Sequence, residues 1–287
     1  MRSTISRSAP PRPRKHELII SADRANGQYW KDIWRYRELF YFLAWRDILV
    51  RYKQTTIGIA WAVIRTLLTM LVFTVIFGKI AKLPTEGAAP YPVMVFAAML
   101  PWQFFANALS ECSNSLISNS NLISKVYFPR LIVPTSAVIV SFVDFLISAG
   151  ILVVLMIVYK FMPDWRILTL PIFTLIGFGA AMGSGLWLAA LNVEYRDFRY
   201  IVPFIVQFGL YISPVGFSSN VVPEQWRLLY SLNPMVSVID GFRWAILGGN
   251  TSIYMPGFIL SVSLIILQLI SGIWYFRKME RTFADII

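Results

Sequence analysis

Two ionisable residues stand inside long apolar runs: Arg65 in "TTIGIAWAVIRTLLTMLVF" and Asp144 in "PTSAVIVSFVDFLISAGILVVLMIV". Each costs about 2.5–3.5 kcal/mol in hydrocarbon unless it is paired, hydrated or snorkelling. Counted from the ends of their runs, the two backbones differ in depth by roughly 9 Å at 1.5 Å per residue, so a direct pair sits at the limit of reach. The alternative is that Arg65 extends to the inner interface or to an anion held there. Catalytic chemistry finds little material. His16, the single histidine, lies in an Arg/Pro-rich tail, and Cys112 is the single cysteine. An intrachain disulfide is therefore excluded, a metal site has no ligand cluster, and no serine has a histidine to activate it. The phosphate-cradling pattern G-x-x-x-x-G-K-S/T is absent, so the chain does not hold a nucleotide itself. What remains is aromatic surface. Trp61, Arg65, Thr69, Phe73 and Phe77 recur at i,i+4, and Phe204, Phe208 and Tyr211 at i, i+4 and i+7. On helices each set makes one stripe, which lines a conduit or else faces lipid or core.

The elements that carry these residues are those of a polytopic membrane protein. Of 287 residues, 57% are hydrophobic and 14% charged, against about 25% charged in soluble domains. About 20 apolar residues cross the roughly 30 Å of a bilayer core, which predicts spans near 57–78, 91–112, 131–158, 167–191, 200–217 and 254–276. The net charge of +11 in so apolar a chain marks a cytoplasmic face rather than nucleic acid. Lys and Arg concentrate before the first span, from Arg2 to Lys53, which places the N-terminus inside, and six spans return the C-terminus to the same side. Residues 1–33 read as a disordered basic cytoplasmic tail, not a secretory signal. Residues 34–53 read as an amphipathic interface helix, with Leu39, Phe40, Leu43, Ala44 and Ile48 on one face and Arg and Lys around it. The six-span domain follows over 54–287.

Two further stretches interrupt the oil. "NSNLISKVYFPR", Asn119 to Arg130, predicts a short helix through 116–128 with Leu122, Ile123, Val126 and Tyr127 on one face and Asn121, Ser124 and Lys125 on the other. Pro129 disfavours helical geometry at Phe128 and should end it there. Such a helix either transmits force between two spans or rests as a loop on headgroups. In 218–249, Pro223, the Asn233-Pro234 break and Gly248-Gly249 delimit two helices too short to cross, expected to dip back from the outer face.

Five linked stretches, "WRDILVRYKQTTIGIAWAV", "LPWQFFANALSECSNSLISNSNLISKVYFPRLIVP", "LNVEYRDFRYIVPF", "SPVGFSSNVVPEQWRLLYSLNPMVSVIDGFRW" and "FRKMERTFADII", resemble the membrane subunit of type-2 ABC exporters for bacterial polysaccharides. These are the Wzm-like permeases for O-antigen, capsule or teichoic acid. The resemblance runs from about residue 34 to the C-terminus. It implies an all-α, six-span, multi-pass subunit of the bacterial inner membrane with both termini cytoplasmic. It further implies a homodimer served by two copies of a separate subunit that binds ATP and Mg, with no cofactor on this chain. Its cargo would be a polysaccharide linked to undecaprenyl diphosphate. By the same resemblance 114–128 is the coupling helix, presenting Asn121, Leu122, Ile123, Lys125, Val126 and Tyr127 to the ATPase. Trp34–Lys53 is the interface helix, and 223–247 are periplasmic gate helices with Trp226, Tyr230 and Phe242. Arg65-Thr66 departs from the Gln-Pro or similar pair often found in the first span of the family.

A sugar tunnel should be aromatic and lightly polar, because rings stack on sugar C–H faces. Trp61, Arg65, Phe73, Phe77, Phe204, Phe208 and Tyr211 are the residues expected along it. The competing readings are a permease of the same family for teichoic acid, another lipid or a drug, and a membrane enzyme acting on polyprenyl-linked sugars. The last would need paired acids or a histidine at the membrane face. Gly179 and Gly183 form a G-x-x-x-G suited to close helix contact.

Overall fold

A chain in hydrocarbon must satisfy its backbone internally, and the apolar runs all resolve as helices. The computed structural model describes residues 26–53, 58–85, 89–195, 197–248, 253–280 and 282–283, and every regular element among them is helical. In chain order these are α1 Asn26–Arg35, α2 Arg37–Lys53, α3 Gly58–Phe73, α4 Tyr91–Ser118, α5 Ser120–Lys125 and α6 Ile132–Val158. They continue with α7 Leu170–Glu194, α8 Phe198–Ile212, α9 Glu224–Tyr230, α10 Pro234–Leu247 and α11 Met255–Met279. A π-helical stretch, Thr74–Ile80, prolongs α3, and a 3-10 turn, Trp165–Thr169, leads into α7.

Among the described residues four stretches are long and apolar enough to cross a membrane: Tyr91–Ser118, Ile132–Val158, Trp165–Glu194 and Met255–Met279, while Thr66–Ile80 and Phe198–Ile212 are shorter apolar helices. The fifth run stops at Ile212, short of the expected 217. Pro214 forces Ser213 out of the helical region, and Ser213 is extended at φ −78 and ψ 152. At the other end, the boundary of the tail needs correction. Residues 26–33 are not disordered but helical in α1, held by Tyr29 packing under the Arg277 guanidinium at 4.4 Å.

α4 is the hub, packed against α6, α7 and α10. Small residues let its neighbours approach: Ala97, Ala98, Ala108 and Cys112 are fully enclosed, and a Cβ on Gly185 of α7 would stand 2.6 Å from Cys112 Sγ. The buried Asn192 amide clasps the same pair, donating to the Ser113 carbonyl at 2.9 Å. α7 meets α11 through the G-x-x-x-G, where a Cβ on Gly183 would lie 2.8 Å from the Leu269 backbone nitrogen and one on Gly272 2.6 Å from the Gly183 carbonyl. Backbone contact of this kind needs residues without side chains.

α10 begins where Asn233 accepts from the Met235 N–H at 3.1 Å, with Pro234 in the first turn, and ends at Gly248 with φ 71. Its Met235, Val238, Ile239 and Ile246 are buried against α4, α7 and α11.

Candidate functional site

One end of the bundle is organised by the polar residues of "WRDILVRYK". Arg51 Nη1 meets Asp144 Oδ2 on α6 at 2.5 Å, its other nitrogen contacts Glu111 on α4, and the Tyr52 hydroxyl donates to Asp144 Oδ1. Asp144 is thus satisfied from α2; the side chain of Arg65 lies outside the described residues. Sequence distance concealed the true partner, 93 positions away. Burial and the Asp144 carboxylate push the Tyr52 hydroxyl up, so it remains a donor. Arg46 adds a bond to Asn119 Oδ1 at 2.8 Å. The expected apolar face of α2 packs on protein, with Leu43 and Ala44 buried, while its Tyr41, Phe42 and Trp45, and Trp34 at the end of α1, point outward.

Asn119 is also where α4 gives way to α5. Its side-chain amide donates back to the Ser115 carbonyl at 2.9 Å, which closes the end of α4. α5 then runs for six residues only. It stops at Lys125 rather than Phe128, because Val126 is already extended at φ −127 and ψ 133. The expected four-residue apolar docking face is therefore divided. Ile123, 4% exposed, and Leu122 pack on the chain's own core, whereas Val126 and Tyr127 stand out with Asn121 and Lys125. Alternation along the extended segment returns Phe128 to the interior.

A second anchor follows at once. The Arg130 N–H donates to Glu280 Oε1 at 2.7 Å and its guanidinium to the Glu280 carbonyl. Tyr29 lies against the same carboxylate, and burial pushes Glu280 up while Arg130 and Tyr29 pull it back. α1, the end of α11 and the exit of the α5 loop are knotted here.

On the far side, α3 and α8 bring two aromatic stripes together. Phe73 stacks on Tyr211 at 6.4 Å and lies 5.4 Å from Phe77. Gly216 makes room for both, since a Cβ there would be 2.6 Å from Phe77. Phe73 is 6% exposed, so it buttresses Tyr211 instead of presenting its own face, a correction to its expected place on a conduit wall. The Phe204 and Phe208 rings lie 4.2 Å apart, tilted at 33°, and, with Tyr211, these residues are 58%, 51% and 62% exposed. The side chain of Trp61 lies outside the described residues.

Beyond α8 the chain runs eleven residues to α9 with only one short 3-10 turn, Ser219–Val221, and its carbonyls are met one by one. Tyr230 donates to Ile212 at 2.7 Å, Arg243 to Val215 at 3.1 Å and to Phe217 at 2.7 Å, Tyr91 to Gly216 at 2.6 Å, and Arg227 to Val222 at 3.0 Å. Backbone carbonyls that no helix satisfies require such partners when they are taken out of water. Arg243, a charged residue on α10, is 0% exposed. The available signal was its place within the apolar helical spacing of "IDGFRWAIL". Phe242 is also sealed in this structure, 1% exposed and edge-on to Phe145 at 6.1 Å. Trp226 is exposed on α9.

Among the described residues no three His, Cys, Asp or Glu side chains gather to hold a metal. The family model for ABC-2 type transporters matches residues 38–247. The chain is 27% identical over 252 residues to the O-antigen export system permease protein RfbA of Klebsiella pneumoniae, covering 84% of this chain and 92% of that one. It is 26% identical to RfbA of Myxococcus xanthus, over 74% and 82% of the two chains. The polysialic acid transport protein KpsM of Escherichia coli is 22% identical, over 72% and 80%. With the match spanning well over half its length, and with α4, α6, α7 and α11 built to cross a membrane, the chain belongs to the ABC-2 type transporter family as a membrane permease and not an enzyme.

Proposed function

We infer that this permease exports a polysaccharide carried on undecaprenyl diphosphate across the bacterial inner membrane, working as a homodimer with two separate ATP-binding subunits. The observation that carries the reading is the Phe204, Phe208, Tyr211 stripe, exposed and uncharged on α8 and buttressed by Phe73, in a chain similar to O-antigen permeases. Flat rings without charge suit a long neutral chain that must slide rather than bind tightly. In this reading α3 with its π extension, α4, α6, α7, α8 and α11 are six spans with both termini cytoplasmic. The α9–α10 pair is re-entrant from the periplasm, with Trp226 and Tyr230 at the outer mouth. Trp61, Arg65 and Phe77 complete the path on the first span. ATP and Mg are held by the partner subunit. Asn121, Lys125, Val126 and Tyr127 face it, and the Arg46–Asn119 and Arg130–Glu280 bonds stiffen both ends of the lever.

Similarity to the polysialic acid transport protein KpsM favours a polysialic-acid-like glycan as the second reading of the cargo. Replacing Phe204, Phe208 and Tyr211 together by Ala tests the path. Export of the glycan in a cell lacking its own permease should stop, while the triple variant still inserts and copurifies with the ATPase. Unimpaired export would move the stripe to the lipid or the core.

A further inference from the structure

A crevice of about 430 Å3 opens on the flank of the bundle between α6 and α7, floored by α4 and α10. Its walls are Leu100, Phe142, Phe145, Ala149, Phe178 and Phe242. The one polar side chain among its lining residues, Thr174, spends its hydroxyl on the Leu170 carbonyl at 2.8 Å. Water needs two to four polar partners to settle in a cavity, and a sugar needs more, so neither has reason to occupy this one. The mouth passes Leu146 and Leu175, which are exposed, and Val153, Ile157 and Ile172 continue the same uncharged perimeter along α6 and α7. Both helices are long and apolar enough to cross the membrane, so this perimeter meets hydrocarbon, and the crevice is an inward continuation of it.

We propose that the crevice is a structural-lipid site that takes one acyl chain of a glycerophospholipid. Its volume falls within the roughly 300–1,000 Å3 of small-molecule sites, and its four phenylalanine walls are rigid and dry. The crevice reaches Leu170 and Pro171 at the start of α7 and Ile246 near the end of α10. It therefore lies in the half of the bundle away from α5, and the lipid belongs to the leaflet on that side. Lys160 sits on the connection between α6 and α7 at that end and supplies positive charge at the level where a phosphate group would lie, while Arg166 beside it is paired with Asp164 at 3.8 Å and packed over Trp244. A chain in the crevice contacts Phe242 and Ile246 of α10 on one side and α6 and α7 on the other. It would wedge α10, the helix whose Arg243 holds the irregular outer segment. The site depends only on the chain's membrane character and stands whatever the cargo.

The test places the full chain in nanodiscs of phosphatidylglycerol brominated at mid-chain and maps it by electron cryomicroscopy. Bromine scattering between Phe142 and Phe178 above the level of the surrounding lipid annulus is expected. Scattering no stronger there than elsewhere overturns the proposal. In parallel, native mass spectrometry counts phospholipids retained after delipidation. Wild type should keep one per chain that Ala149→Phe, which fills the crevice, has lost, and added phosphatidylglycerol should raise the Tm of wild type only. Equal retention and an equal rise in a folded Ala149→Phe protein would likewise refute it. The bromine map needs no variant, so a poorly folding Ala149→Phe leaves the proposal testable.

Discussion

Replacing Arg51 by Met should destabilise the protein more than replacing Arg51 and Asp144 together by Met and Asn. Arg51 bridges Asp144 on α6 and Glu111 on α4, with side-chain exposures of 31%, 20% and 47% respectively. Methionine keeps most of the stem packing, so the loss is electrostatic. Removing one partner of a fully buried pair costs about 3–5 kcal/mol. Asp144 retains some water and the Tyr52 hydroxyl, which brings the figure to about 2–3 kcal/mol. Glu111 is half in water and adds under about 1 kcal/mol. Asp144→Asn alone leaves Arg51 with Glu111 and should cost about 1 kcal/mol. In the double variant no unpaired charge is left in the apolar span, so it should fall short of the sum by about 1–2 kcal/mol. Unfolding of the four proteins by SDS titration in mixed micelles, followed by tryptophan fluorescence, measures the cycle. Additive losses would refute the claim that Arg51 is what makes a carboxylate tolerable on α6.

Three other outcomes follow from local geometry. Gly183→Ala drives a methyl into the Leu269 backbone and should cost about 1–3 kcal/mol in the same titration, whereas Gly150→Ala, with nothing within 4 Å of its Cβ, should be neutral or slightly stabilising. Arg243→Met strips the Val215 and Phe217 carbonyls of their donors, at about 2–4 kcal/mol; a cysteine placed at the buried Ser218 should then react with a thiol reagent that leaves it untouched when Arg243 is present. Ile123→Asp buries a charge in the chain's own core and should lower the yield of folded protein, while Tyr127→Asp, at an exposed site, should insert normally and lose copurification with the ATPase.

Local chemistry was legible in the sequence and distant partnership was not. Pro223, Asn233-Pro234 and Gly248 act within a turn of where they stand, so the bounds of α9 and α10 could be read directly. The G-x-x-x-G at Gly179 and Gly183 was readable for the same reason, though its partner strip at Gln268–Gly272 was not. Ser213-Pro214 carried an equally local stop signal that the hydropathy of 200–217 outweighed. Asp144, Arg243 and Ile123 are different. Each is decided by what tertiary packing brings to it: Arg51 from α2, the carbonyls past α8, and the core beneath α5. Hydropathy weighs a residue alone, and a guanidinium with carbonyl acceptors is cheap to bury where a lone one is not. The α8 stripe was legible as a pattern, but that its rings point outward while Phe73 supports them needed the fold.

The central claim is ATP-driven glycan export by this chain together with a separate ATPase. Inverted membrane vesicles holding both proteins, supplied with undecaprenyl-diphosphate-linked polysaccharide on the outside, test it most directly. Export into the lumen protects the glycan from an added glycosidase. The account predicts protection that grows with ATP and is absent without the ATPase subunit, without ATP, or with Phe204, Phe208 and Tyr211 replaced by Ala. Protection that is independent of ATP, or a glycan left fully accessible with both subunits assembled and hydrolysing ATP, would contradict it.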